Sequence, residues 1–150
     1  MAAPGIASSK EVKKAFLSDP AVSQTVKAWS RVTTLLVGIG AFPASPLLAA
    51  SGNALEKSEE QQLAKEGAVG EICLRYFDKT GAVMSPSIED RVISIDVKSM
   101  KKVPRRIAVA GGPKKLSAIR GAILGDWVNI LITDSDTARQ LLEPPRINRR

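Results

Sequence analysis

The sequence contains no histidine. The side chain that ordinarily moves protons near neutral pH is therefore missing, and acid–base catalysis would require a Glu or Lys with a strongly perturbed pKa. A single cysteine, Cys73, excludes an internal disulfide and with it the stapled folds of small secreted proteins. Aromatic residues make up only 4% of the chain, which leaves few platforms for stacking nucleic-acid bases and requires aliphatic side chains to fill the core. The N-terminal stretch MAAPGIASSKEVKK has no apolar core of the signal-peptide kind, so a cytoplasmic location is expected. Acidic residues are also absent between Asp96 and Asp126, whereas Lys98, Lys101, Lys102, Arg105, Arg106, Lys114, Lys115 and Arg120 all fall there. Either a solvated basic face or an anion site explains such a run.

The remaining composition is that of one globular domain. At 150 residues with 44% hydrophobic and 25% charged side chains, the chain has the size and balance to bury a core of its own. The net charge of +7 suits an anionic partner such as a phosphorylated metabolite or a nucleic acid. The uncharged run Val32 to Leu55 is long enough to cross a bilayer. Gly38, Gly40, Pro43, Pro46 and Gly52 interrupt it, so it is expected to be a buried strand followed by a loop, with no membrane role.

Local signals place the elements. Residues 1–8 are expected to be a flexible tail and 143–150 a basic C-terminal tail, around a single domain spanning 1–150. Ser9 and then Asp19 with Pro20 mark the starts of two short helices. The apolar run Leu35 to Ile39 predicts a central strand covered on both faces, and residues 41–57 a long loop facing a ligand. Ser58 is expected to cap a helix ended by Gly67. VGEICLRYF is expected to form one strand, Arg91 to Ile95 another that returns against it, and Asp96 to open a short helix. The last third alternates strand and helix through RIAVA, GGPKKLSAIRGAIL, VNILIT and DTARQLL. That alternation predicts an α/β fold with a mostly parallel sheet and helices on both faces, a three-layer arrangement.

In such sheets ligands bind beyond the carboxyl ends of the strands. The loop after Ala110 reads Gly111, Gly112, Pro113, Lys114, Lys115, which would set backbone N–H groups and two lysines at a helix N-terminus, where anions are favoured and cations are not. A bound phosphate would relieve the conflict. The alternative is a tight turn with both lysines in water, because the loop matches neither the Walker A spacing nor the dinucleotide fingerprint.

The segment AVAGGPKKLSAIRGAI resembles the GG-x-x-K-x-x-A-I element of the sugar-binding (effector) domain of SorC/DeoR-type bacterial transcription regulators. VGIGAF, SPLL, EGAVGEICLRYFDKTGAV, DRVISI and ITDSDTARQLL follow that family in order and spacing, so the resemblance spans about residues 8–143. It implies a fold like that of phosphosugar isomerases and deaminases, and a domain that binds a phosphorylated sugar, forms a homo-oligomer (dimer or tetramer) and acts on DNA only through an attached helix-turn-helix domain. It also implies that this domain and the first strands of the fold lie upstream of Met1, making the fold N-terminally incomplete.

By the same resemblance Lys115, with Gly112 beside it, would hold the phosphate or a sugar oxygen, and Glu71 would accept from sugar hydroxyls. Gly38 and Gly40 would let ligand approach the main chain. Each has a structural alternative: a solvated strand residue for Glu71, packing for the glycines. Arg75 and Arg91 read equally well as ion-pair partners. The related enzymes carry Asp-Gly-His after the corresponding glycines, where this chain has Ala41 and Phe42. Binding without catalysis or cofactor is therefore expected, with a phosphosugar isomerase or deaminase as the alternative.

Overall fold

Ser9 and Asp19 begin the first two helices in the computed structural model, which describes residues 2–45 and 55–143. The Ser9 hydroxyl accepts from the Val12 amide at 3.3 Å to open α1 (Lys10–Ser18). The Asp19 carboxylate accepts from Ala21 and Val22 to open α2 (Pro20–Ala28). Each cap satisfies amides that the first helical turn leaves without partners. The chain then enters β1 (Thr34–Gly38) and the short β2 (Gly40–Ala41). Helix α3 (Lys57–Glu66) precedes the hairpin of β3 (Ala68–Ile72) and β4 (Arg75–Asp78). Two short helices, α4 (Pro86–Glu89) and α5 (Val97–Lys102), lead to β5 (Arg105–Val109). A 3-10 turn (Pro113–Lys115), α6 (Leu116–Leu124), β6 (Ile130–Ile132) and α7 (Ser135–Leu142) complete the described chain.

The described strands divide into two sheets. β1, β5 and β6 form a parallel sheet in the order β1-β5-β6, with Leu36 opposite Ile107 and Ile107 opposite Ile130. β2, β3 and β4 form an antiparallel sheet in which Gly40 faces Glu71. The α/β class and the parallel sheet agree with expectation, but parallel pairing holds only one of the two sheets. Among the described residues the strand expected at the centre lies at an edge: β1 pairs there only with β5, and Leu36 is 68% exposed. Periodicity reports that a run is apolar, whereas neighbouring elements decide which faces are covered. Side chains of α5, α6 and α7 pack against one face of the parallel sheet; among the described residues no layer covers the other, unlike the expected arrangement, and Leu36, Val109 and Ile132 stand exposed there.

Other departures are local. VGEICLRYF is two strands, because Cys73 and Leu74 both take positive φ, 54° and 65°, and fold the chain into a two-residue hairpin turn. Arg91 to Ile95 forms no strand with β4; Val92 makes an isolated bridge with Ile6. That bridge corrects the reading of residues 1–8 as a flexible tail. Ala7 donates to the Arg91 carbonyl and Ile93 to that of Gly5, both at 2.9 Å, and Ala7 is buried. Glu56, not Ser58, caps α3, through a reciprocal box with Glu59. Residues 144–150, most of the expected C-terminal tail, lie outside the described residues.

The main core sits behind the parallel sheet. Trp127 and Phe77 pack with ring centroids 5.0 Å apart among Ile39, Ile72, Met100 and Ile119, and the Trp127 indole N–H donates to the Gly81 carbonyl at 2.8 Å. A smaller cluster of Leu63, Tyr76, Ile88 and Val92 holds α3 and α4 to the hairpin. Because Ile39 is fully buried, the Gly38–Gly40 turn is anchored where the two sheets meet.

Candidate effector site

The carboxyl ends of β1 and β5 lie side by side, and the loops leaving them bound an open recess of about 440 Å³. Gly40, Ala41, Pro43, Ala44 and Ser45 supply one wall, Glu71 a second, and Lys114 and Lys115 a third. Three positions singled out from sequence, Gly40, Glu71 and Lys115, thus come together from three separate segments. Ala41, Pro43, Ala44 and Ser45 of the expected ligand-facing loop take part, while residues 46–54 lie outside the described residues.

Glu71 reaches the recess because antiparallel pairing sets it across from Gly40. Its Oε2 accepts from the Leu74 amide at 2.8 Å, which ties the carboxylate to the hairpin turn. Its Oε1 leans on Gly40: a Cβ there would stand 2.1 Å from that oxygen. Gly40 is thus the seat of the Glu71 carboxylate as well as a wall of the recess. Burial pushes the Glu71 pKa up, against the opposing pull of the Leu74 N–H and the Lys115 charge. The result is a partly desolvated acceptor with a cation nearby.

The lysines come from the loop after β5. Gly112 has a φ of 94°, which a residue with a Cβ rarely adopts, and this turns the chain into the Pro113–Lys115 turn and then α6. The Gly112 amide does not face the recess. It donates to Asp134 Oδ2 at 2.9 Å and Thr137 Oγ1 at 2.8 Å, so the expectation of a bare N–H for ligand fails at this residue. Asp134 also accepts from the Thr137 amide at 2.8 Å, capping α7 with the same carboxylate. The Thr137 and Gly112 donors hold its pKa below the usual carboxylate range. Asp134 and Thr137 were not among the residues singled out from sequence, although an acid at the end of a strand with Thr three residues on is a recognisable capping signal.

Gly38 and Gly112 do not line the recess. Gly38 lies in β1 with open space where its Cβ would be. Arg75 and Arg91 take the structural role: Arg75 is buried, pairs with Glu89 and donates to the Ile95 and Ser94 carbonyls, and Arg91 pairs with Glu59.

Residues 1–143 match the model of a family of sugar-binding domains. The chain is 34% identical over 139 residues to a deoxyribonucleoside regulator of Bacillus subtilis (strain 168), covering 93% of this chain and 44% of that protein. It is 32% identical over 142 residues to the transcriptional regulator LsrR of Escherichia coli (strain K12), covering 93% and 45%. Among solved structures, a transcriptional regulator from Streptococcus pneumoniae TIGR4 superposes with a TM-score of 0.85 at 30% identity, over 95% of this chain and 54% of that one. The full-length sorbitol operon regulator SorC from Klebsiella pneumoniae has the same fold, with a TM-score of 0.83 at 24% identity over 93% of this chain and 44% of that one. The chain spans less than half the length of the two curated relatives.

Proposed function

This chain belongs to the sugar-binding domain family of DeoR/SorC-type transcription regulators, and we propose that its recess binds a phosphorylated sugar as the effector of such a regulator. The observation that carries this reading is the meeting of one partly buried carboxylate and two lysines around a single opening at the carboxyl end of a parallel sheet. Lys114 and Lys115 supply charge-assisted donors to the phosphate. Glu71, which would repel a phosphate, accepts from sugar hydroxyls at the opposite wall. Gly40 leaves room for both the carboxylate and the ligand, while Asp134 and Thr137 hold the lysine loop through Gly112.

The sequence supports binding over turnover, since it holds no histidine to shuttle protons. The role is therefore that of a cytoplasmic effector module with a phosphosugar isomerase-like fold. Occupancy of its recess would be relayed to a DNA-binding domain of the kind that regulators carry. Lys115→Ala tests the assignment. Calorimetric titration with sugar phosphates is expected to show a loss of ~1.5–3 kcal/mol, the scale of a hydrogen bond to a charged group. Unchanged affinity would remove Lys115 from the site.

A further inference from the structure

The β3–β4 ladder ends at the Ile72–Arg75 pair, so Cys73 and Leu74 between them stand outside it. Both take positive φ, 54° and 65°, a conformation that costs a residue with a Cβ and that Cys and Leu, unlike Asn, do not favour. Such a turn persists only where its surroundings over-determine it. The peptide joining the two residues is engaged on both sides. Its N–H, from Leu74, donates to Glu71 Oε2 at 2.8 Å. Its carbonyl, from Cys73, accepts from the Ser94 hydroxyl at 3.2 Å, nearer to that hydroxyl than the Ile95 carbonyl at 3.5 Å. We propose that Ser94 is a positioning residue of the recess: its hold on the Cys73 carbonyl sets the orientation of this peptide, so that the Leu74 amide fixes the Glu71 carboxylate at its wall.

The C=O and N–H of a planar trans peptide point in opposite directions, so a bond to one aims the other. Cys73 packs against the main core and Leu74 against the smaller cluster. Those contacts place the two side chains, whereas the peptide between them can still rotate and carry the Leu74 N–H away from Glu71. Ser94 opposes that rotation because it is itself held. Buried Arg75 donates from Nη2 to the Ser94 carbonyl at 3.2 Å and from Nε to the Ile95 carbonyl at 3.0 Å, while its Nη1 pairs with Glu89. Ile93 and Ile95, on either side of Ser94, are buried. The grip on the turn thus comes from a segment 21 residues further along the chain, and Ser94 itself lines no part of the recess.

The inference rests on the effector reading for the ligand, but the hold on Glu71 can be measured without one. In the full chain the NMR shift of the Leu74 amide is expected to follow the titration of Glu71 and to lose that response in Glu71→Gln. In Ser94→Ala the response is expected to fall at least twofold and hydrogen exchange at Leu74 to quicken at least tenfold, with the β3 amides and the circular dichroism spectrum unchanged. By calorimetry, the preference for a sugar phosphate over inorganic phosphate is expected to shrink at least fivefold in Ser94→Ala, whereas Ser94→Thr, which keeps the donor, matches the parent. A Leu74 amide indifferent to Ser94→Ala would overturn the inference. So would equal losses in Ser94→Ala and Ser94→Thr, or a lost Leu74 response with the preference for sugar phosphate intact. A parent chain that prefers no sugar phosphate over inorganic phosphate would sink the effector reading alone, and the Leu74 amide would still decide whether Ser94 holds the turn.

Discussion

Glu71 is the residue whose chemistry decides the reading of the recess. A carboxylate drawn out of water opposes folding in its charged form, and its pKa is raised here. The sign follows directly: below the ordinary Glu pKa the group is protonated in both states and costs nothing; stability falls as pH rises from that value to the raised folded one, where the unfolded chain ionises first, and the loss is complete above it. Glu71→Gln, which keeps an acceptor for the Leu74 amide, is therefore expected to raise the melting temperature at neutral pH, with the difference vanishing at acid pH. The same substitution is expected to weaken sugar-phosphate binding while leaving inorganic phosphate binding unchanged. A lower melting temperature at neutral pH, or equal losses for the two ligands, would count against this role. Sequence resemblance pointed to Glu71 and Gly40 separately. Their contact depends on antiparallel register across a stretch of about thirty residues, which local patterning does not report.

At the scale of elements, the lysine loop is fixed by its link to α7. Gly112 donates into the cap of that helix, so the lysine-bearing turn and the start of α7 are a single hydrogen-bonded unit. Asp134→Ala removes the acceptor for Gly112 and the cap together. It is expected to lower the melting temperature by several degrees and to weaken inorganic phosphate binding, although Asp134 is itself an acid and lines no part of the recess. Tighter phosphate binding in this variant would mean that its charge, not its hold on Gly112, dominates.

Elements with strong local signals were legible in the sequence. Ser9, Asp19 and Asp96 cap helices as expected, and Gly67 ends α3 with a φ of 86°. The hairpin turn at Cys73 and Leu74 was not legible, because neither residue type advertises positive φ. The bridge between Ile6 and Val92 was also hidden, since it joins a segment with no period to one that reads as a strand. Edge or centre for β1 depends on partners that a one-dimensional pattern does not name.

For the whole molecule, the two ends of the parallel sheet differ in kind. The carboxyl end gathers the recess and its lysines, while Arg105 and the last turn of α5, with Lys101 and Lys102, lie at the amino end. Among the described residues the positive charge is therefore divided between the two ends of the sheet. No helix among the described residues is long and apolar enough to cross a membrane. Calorimetric titration of the intact chain with a panel of sugar phosphates, the matching unphosphorylated sugars and inorganic phosphate tests the central claim most directly. The account expects at least one sugar phosphate to bind more tightly than both its parent sugar and inorganic phosphate, because in the proposed site Lys114 and Lys115 would hold one end of the ligand and Glu71, on another wall of the recess, the other. A parent sugar binding as tightly as its phosphate, or no sugar phosphate binding better than inorganic phosphate, would contradict it.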